Sequence, residues 1–196
     1  MTKNRMKHLI LFFSAAVFLI FAESAVSAQQ IVYADASAFP LYGKVSDDTD
    51  GRYERLPSHL KTVSREPVWY LGRNSAGLYI RFRSNSTSIH LRWESMFNNS
   101  MTHMTDTGTK GLDLYALQDG EWRHVCSAQP QGKKSERAVI RYMDPIEREY
   151  MLYLSLYDGI SSLEIGVDEG ASLDMPAVDS PSSERPVVMY GSSILQ

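Results

Sequence analysis

GLYIRFRSNSTSIHLRWES, from Gly77 to Ser95, is the stretch on which the fold turns. Leu78, Ile80 and Phe82 alternate with Tyr79, Arg81 and Arg83. Ile89, Leu91 and Trp93 then alternate with His90, Arg92 and Glu94. A period of two sends successive side chains to opposite faces of an extended chain. SNSTS between the two runs has the composition of a turn. The stretch reads as an antiparallel hairpin with one buried and one wet face.

The same signals recur outward from it. LDLYAL and EWRHVCSA flank Asp119-Gly120 and form a second expected hairpin. REYMLYLSLY (Arg148 to Tyr157) is expected to pair with SSLEIGVDEG across Asp158-Gly159, and IVYADAS and VWYL add two more strands. After the N-terminal leader no stretch holds a helical period. Six to nine short strands imply an all-β fold, an antiparallel sandwich of jelly-roll-like kind. DMPAVDSPSSERP, from Asp174 to Pro186, breaks the alternation with three prolines and reads as a linker. VVMY (Val187 to Tyr190) is apolar on both faces, as a strand of a helix-covered parallel sheet would be.

The chain begins with Lys3, Arg5 and Lys7, an apolar run from Leu9 to Ala22, and small residues ending at Ala28. This is the pattern of a cleaved export leader over 1–28. The alternative is an uncleaved anchor, but the run is shorter than the roughly 20 apolar residues a spanning helix needs. The expected organisation is therefore a leader (1–28), a sandwich (29–173), a linker (174–186) and the start of a second domain (187–196). The expected location is the bacterial periplasm or the exterior, with no membrane attachment after cleavage.

Net charge is −3, and the basic leader leaves the remainder more acidic still, which argues against a nucleic-acid partner. Cys126 is the single cysteine, so no internal disulfide can form. No phosphate cradle or dinucleotide fingerprint is present, His59 and His124 have no partner at zinc-ligand spacing, and His90 is expected on the wet strand face. No cofactor is expected.

Ser193 is the sharpest catalytic candidate. A strand that ends in Gly191-Ser192-Ser193 lifts a hydroxyl above a sheet edge, although a serine there also serves as a helix cap. YGSSILQ resembles the first block of the SGNH (GDSL-type) hydrolases, with Ser192 where Asp is common. The resemblance implies that Ser193 is the nucleophile and that its backbone N–H belongs to the oxyanion hole. Met101 to Val125 contains Gly111-Leu112-Asp113-Leu114-Tyr115. This is similar to the GxDLY signature of the domain that precedes one class of SGNH-type esterases, as are NSAGLYIRFRSNS and YMLYLSLYDGISSLEIGVD. The resemblance implies a sandwich followed by a flavodoxin-like hydrolase domain whose remaining oxyanion-hole residues and Asp-His pair lie past Gln196. It also implies an ester substrate, an acylated carbohydrate above all.

Four further residues are candidates for ligand binding or a domain seam. Asp113 and Tyr115 share one side of their strand, opposite Leu112 and Leu114. Asp113 either binds a ligand or accepts backbone N–H bonds at a seam. His103 either faces a neighbouring cleft or makes one loop hydrogen bond. Trp122, beside a turn, is the best exposed aromatic for stacking a sugar, whereas Trp93 shares the apolar register. A non-catalytic carbohydrate-binding sandwich is thus the alternative function.

Overall fold

A computed structural model describes residues 29–178. Two antiparallel sheets face each other. The four-stranded sheet runs β1-β9-β4-β7 and the five-stranded sheet β2-β3-β8-β5-β6. The strands are β1 (Ile31–Asp35), β2 (Leu41–Tyr42), β3 (Tyr79–Ser84), β4 (Ile89–Ser95), β5 (Leu112–Gln118), β6 (Glu121–Ala128), β7 (Lys134–Ile140), β8 (Arg148–Tyr153) and β9 (Ile160–Asp168). Leaving out the two-residue β2, this order is that of a jelly roll. The expected all-β sandwich is the fold.

The core lies between the sheets. Ile80, Phe82, Leu112, Leu114 and Leu152 project from one side, and Ile89, Leu91, Trp93, Ile165 and Val167 from the other. These are the apolar registers that the alternation marked.

Two of the three expected hairpins are not hairpins. β3 and β4 belong to different sheets, and so do β8 and β9. The turn between β3 and β4 crosses the sandwich because its hydroxyls have a distant partner. The Asp168 carboxylate, at the end of β9, accepts from the Ser86 and Ser88 hydroxyls at 2.9 and 2.6 Å, and from both the N–H and the hydroxyl of Thr87 at 2.8 and 2.7 Å. Asp158-Gly159 is likewise a corner between sheets. The Asp158 carboxylate takes the N–H groups of Phe97 and Asn99, at 2.9 and 2.7 Å. Only Asp119-Gly120 closes a hairpin, β5 with β6, with both residues at positive φ (54° and 80°).

VWYL is helical, not extended. It lies in α1 (Glu66–Gly72), where Pro67 stands in the first turn with its φ already set for a helix. A second short helix, α2 (Asp106–Lys110), precedes β5. β7, absent from the strands read in the sequence, is an edge strand beside β4. Arg81 was expected on a wet face, yet it is buried. Residues 1–28, expected to be a leader, and residues 179–196, with Ser193 and the strand expected at Val187–Tyr190, lie outside the described residues.

Candidate functional site

The GxDLY stretch opens β5, and each of its positions has a separate physical reason. Gly111 follows α2. A Cβ there would overlap the Thr107 carbonyl oxygen and lie 2.8 Å from that of Ala128. Leu112 and Leu114 enter the core. Asp113 and Tyr115 stand on the outer face of the five-stranded sheet, on the common side expected of them.

Asp113 faces Ser127 across the hairpin, and Tyr115 faces His124, after a bulge that leaves Val125 without an opposite number. The Ser127 hydroxyl donates to Asp113 Oδ1. His124 Nε2 lies 3.2 Å from Ser127 Oγ and 4.0 Å from Asp113 Oδ1. The Tyr115 ring meets the His124 ring edge-on at 5.4 Å. Aspartate, histidine and serine are the residue types of a hydrolytic triad, but the connection is wrong. Here serine bridges the other two, so the imidazole is not oriented by the carboxylate and the hydroxyl proton points at the carboxylate. The cluster is a polar anchor and lacks an activated nucleophile. Ser127 and His124 were not singled out in the sequence. Counting outward from Asp119-Gly120 would have put His124 opposite Tyr115; the bulge hides Ser127.

Alongside this cluster runs a line of tyrosines. Tyr42 and Tyr79 stack at 5.2 Å, Tyr79 and Tyr153 lie 5.0 Å apart, and Tyr153 meets Tyr115 at 5.7 Å. None of the four hydroxyls has a hydrogen-bond partner among the described residues. Burial raises the pKa of Tyr79 and Tyr153.

The next rows of the same face hold Arg81 and Glu149, whose Nη2 and Oε2 are 3.8 Å apart. Chain from the expected linker lies against them. Arg83 and Asp174 exchange main-chain hydrogen bonds at 3.0 and 2.9 Å. Arg81 Nη2 donates to the Val178 carbonyl at 2.7 Å, and Glu149 Oε1 accepts the N–H groups of Ala177 and Val178. The Arg81 guanidinium also sits 5.7 Å from the Tyr42 ring and 5.3 Å from that of Trp122. Trp122 is therefore half-buried and has a cation against it; it is not the bare platform expected. Trp93 is in the core, its indole N–H donating to the Lys110 carbonyl at 3.3 Å.

His103 is exposed, in a turn closed by the bridge between Met101 and Met104. It makes no hydrogen bond or ring contact with the Asp113 cluster. Its loop is nonetheless fixed. The buried Lys110 ammonium reaches Asn98 Oδ1 at 2.7 Å and Asp106 Oδ2 at 3.2 Å. On the four-stranded sheet, Glu136 accepts from Tyr33 Oη at 3.0 Å and pairs with Arg92 Nε at 3.0 Å. Among the described residues no group of three His, Cys, Asp or Glu side chains is placed to hold a metal.

Sandwich topology and a strand-borne Gly-Leu-Asp-Leu-Tyr together define a β-sandwich domain of GxDLY type. Residues 31–173 match the GxDLY family, described as the N-terminus of esterases of the SGNH-hydrolase type. The chain belongs to this family. It is similar to a solved protein from Bacteroides ovatus ATCC 8483 described as a GDSL-like lipase. That match has 34% identity and a TM-score of 0.71, and covers 74% of this chain and 43% of that one. Salicylyl-acyltransferase SsfX3, from a tetracycline biosynthetic pathway, shares the fold at 19% identity and TM-score 0.54, over 78% of this chain and 43% of its own. No curated protein matches. The chain spans less than half the length of these solved relatives.

Proposed function

We propose that this chain is the accessory sandwich and nucleophile block of an exported SGNH-type carboxyl-ester hydrolase. Ser193 attacks the ester carbonyl. Its own N–H helps to hold the oxyanion, and a histidine from the following hydrolase domain takes the hydroxyl proton. The acyl-enzyme is then released by water, so no cofactor or metal takes part. The substrate class is an acylated carbohydrate or another small ester. One observation carries the reading: membership of a family defined by its place in front of SGNH-type esterases.

The test is to express the full-length gene product and follow hydrolysis of p-nitrophenyl acetate and acetylated xylan. Turnover is expected, falling by about three orders of magnitude or more on Ser193→Ala. The 196-residue chain alone should be inactive, because a serine without its base is a poor nucleophile. An inert full-length product, or a Ser193→Ala variant of undiminished rate, refutes the proposal.

A further inference from the structure

On the outer face of the four-stranded sheet, three long side chains lie flat instead of projecting into water. Tyr33 is on β1 and Glu136 on β7, the two edges of that sheet. Three strand spacings, about 14 Å, separate those strands. The hydrogen bond of 3.0 Å between Tyr33 and Glu136 therefore needs both side chains stretched over β9 and β4. Arg92, on β4, completes a plate. Its guanidinium carbon lies 3.6 Å from the centre of the Tyr33 ring, and its Nε and Nη2 hold Glu136 at 3.0 and 3.2 Å. Gly166 gives the ring its place, since a Cβ there would come within 2.6 Å of it.

A hollow opens on each side of the plate, about 360 Å³ towards Glu94, Ser162 and Glu164, and about 510 Å³ towards His90, Ala138 and Arg141. Both are bordered by Arg92, Gln131 and Glu136. From Lys134 to Ala138 the floor runs about 13 Å along β7, so it is elongated. Arg92 and Glu136 are roughly half exposed, and a pair so exposed adds at most about 1 kcal/mol to stability. Ordering three long side chains costs rotamer entropy of similar size. The plate is thus poorly explained as a stabiliser, whereas donors and acceptors already fixed in place lower the cost of binding.

The chemistry of the face selects its occupant. Arg92, Lys134 and Arg141 are matched by Glu94, Glu136 and Glu164, so a polyanion finds no net attraction. Burial, with Arg141 nearby, holds His90 below its ordinary pKa of 6.5 and adds no cation at neutral pH. Ile31 and Ala138 are the aliphatic residues among those lining the hollows, too little for a lipid or an apolar peptide. What fits is a neutral, extended ligand with many hydroxyls. We infer that this face binds a neutral polysaccharide along β4 and β7, with the Tyr33–Arg92–Glu136 plate between two sugar subsites. Gln131, His90 and Glu164 are placed to hydrogen-bond hydroxyls. This site is on the sheet opposite Trp122. The inference rests on the proposed function only in taking the bound chain to be the one whose esters are cleaved.

Calorimetry and amide NMR on the 196-residue chain, with xylohexaose and mannohexaose as probes, test it. Saturable binding of at least one is expected, nearly unchanged by salt because a neutral ligand releases no counterions. Shifts should gather at Arg92, Gln131 and Glu136. Arg92→Ala should weaken binding at least about tenfold with little change in the unfolding midpoint. Arg92→Lys keeps the charge but loses the plane and should not rescue it. If Arg92→Ala unfolds, Gln131→Ala, outside the strands, should weaken binding about threefold instead. Trp122→Ala should leave binding intact. No saturable heat or shift at about 10 mM of either probe overturns the inference. Shifts centred on Trp122 and Tyr115, or an Arg92→Ala variant of full affinity, overturn it too. Preferential, salt-sensitive binding of heparin does the same by giving the face to a polyanion. Ester turnover by the full-length product without glycan binding here sinks this site alone; binding here beside an inert full-length product sinks the hydrolase reading alone.

Discussion

Replacing Gly111 by alanine adds one methyl group where two backbones converge. The new Cβ would overlap the Thr107 carbonyl oxygen, sit 3.1 Å from that carbonyl's carbon and 2.8 Å from the Ala128 oxygen. None of these atoms belongs to a flexible side chain. Thr107 O already accepts the Gly111 N–H at 3.1 Å and so closes α2, and Ala128 ends β6 opposite Leu112. Relief requires α2 to move away from β5. That movement would also strain the bond from Trp93 Nε1 to Lys110 O. Overpacking of this kind costs about 1–3 kcal/mol, and two immovable neighbours put Gly111→Ala near the top of that range. At about 2–4 °C per kcal/mol, the midpoint should fall by roughly 6–12 °C. Gly108→Ala supplies the contrast three residues earlier. Its Cβ would meet side chains alone, Met104 at 3.0 Å and Thr105 Oγ1 at 3.9 Å, and alanine outranks glycine in a helix by about 1 kcal/mol. Thermal and urea unfolding of both variants decides the matter. Equal midpoints for the two, or a Gly111→Ala loss below about 0.5 kcal/mol, would show that the close approach does not explain the glycine.

Burial works to raise the Asp168 pKa, but hydrogen bonds from Ser88, Thr87 and Ser86 outweigh it and hold the carboxyl below its ordinary 3.8. A depressed folded-state pKa gives stability that is fully present above the unfolded value and lost as pH falls through the folded one. Urea midpoints should therefore drop below about pH 4, and Asp168→Asn should flatten that slope. Tyr33 is pushed up to about 12 by burial first and then by its hydrogen bond to Glu136. In a spectrophotometric titration Glu136→Gln should bring this phenol back toward 10, and an unmoved value would discount the bond. Glu149→Ala leaves the buried Arg81 uncompensated and should cost about 3–5 kcal/mol, whereas Arg81→Met/Glu149→Leu should cost far less. A double variant no more stable than Glu149→Ala would deny the coupling.

Inner faces were legible in the sequence and partners were not, and the reason is physical. Leu78, Ile80 and Phe82 alternate in the same way whether the next strand joins their own sheet or crosses to the other. What separates the cases is where the turn's polar atoms go. The hydroxyls of Ser86, Thr87 and Ser88 suit a local turn, yet they are spent on Asp168, far along the chain. Asp119-Gly120 and Asp158-Gly159 are the same dipeptide with opposite outcomes. The first is exposed and adopts the positive φ angles of a two-residue hairpin. The second buries its aspartate under the N–H groups of Phe97 and Asn99. Arg81 misled for the same reason, since the chain that covers it arrives from Ala177 and Val178.

The five residues from Gly111 to Tyr115 show why the candidate site was only half readable. Their alternation assigns Leu112 and Leu114 to the core and Asp113 and Tyr115 to the outer face without any structure. It gives no hint that the glycine is fixed by carbonyls on two other elements, or that Asp113 is held by a serine across a bulge. These are separable contributions. A change at Gly111 acts on the fit of α2 against β6, and one at Leu114 on the core. Asp113→Ala frees Ser127 and His124 on a partly exposed face, where little folding energy is at stake. If Asp113 serves the fold alone, its removal should show in unfolding. If it serves the outer face, unfolding should barely change while the accessibility of Tyr115 and Tyr153 shifts. The location of Asp113, outside the core and beside phenols that have no hydrogen-bond partner among the described residues, favours the second outcome.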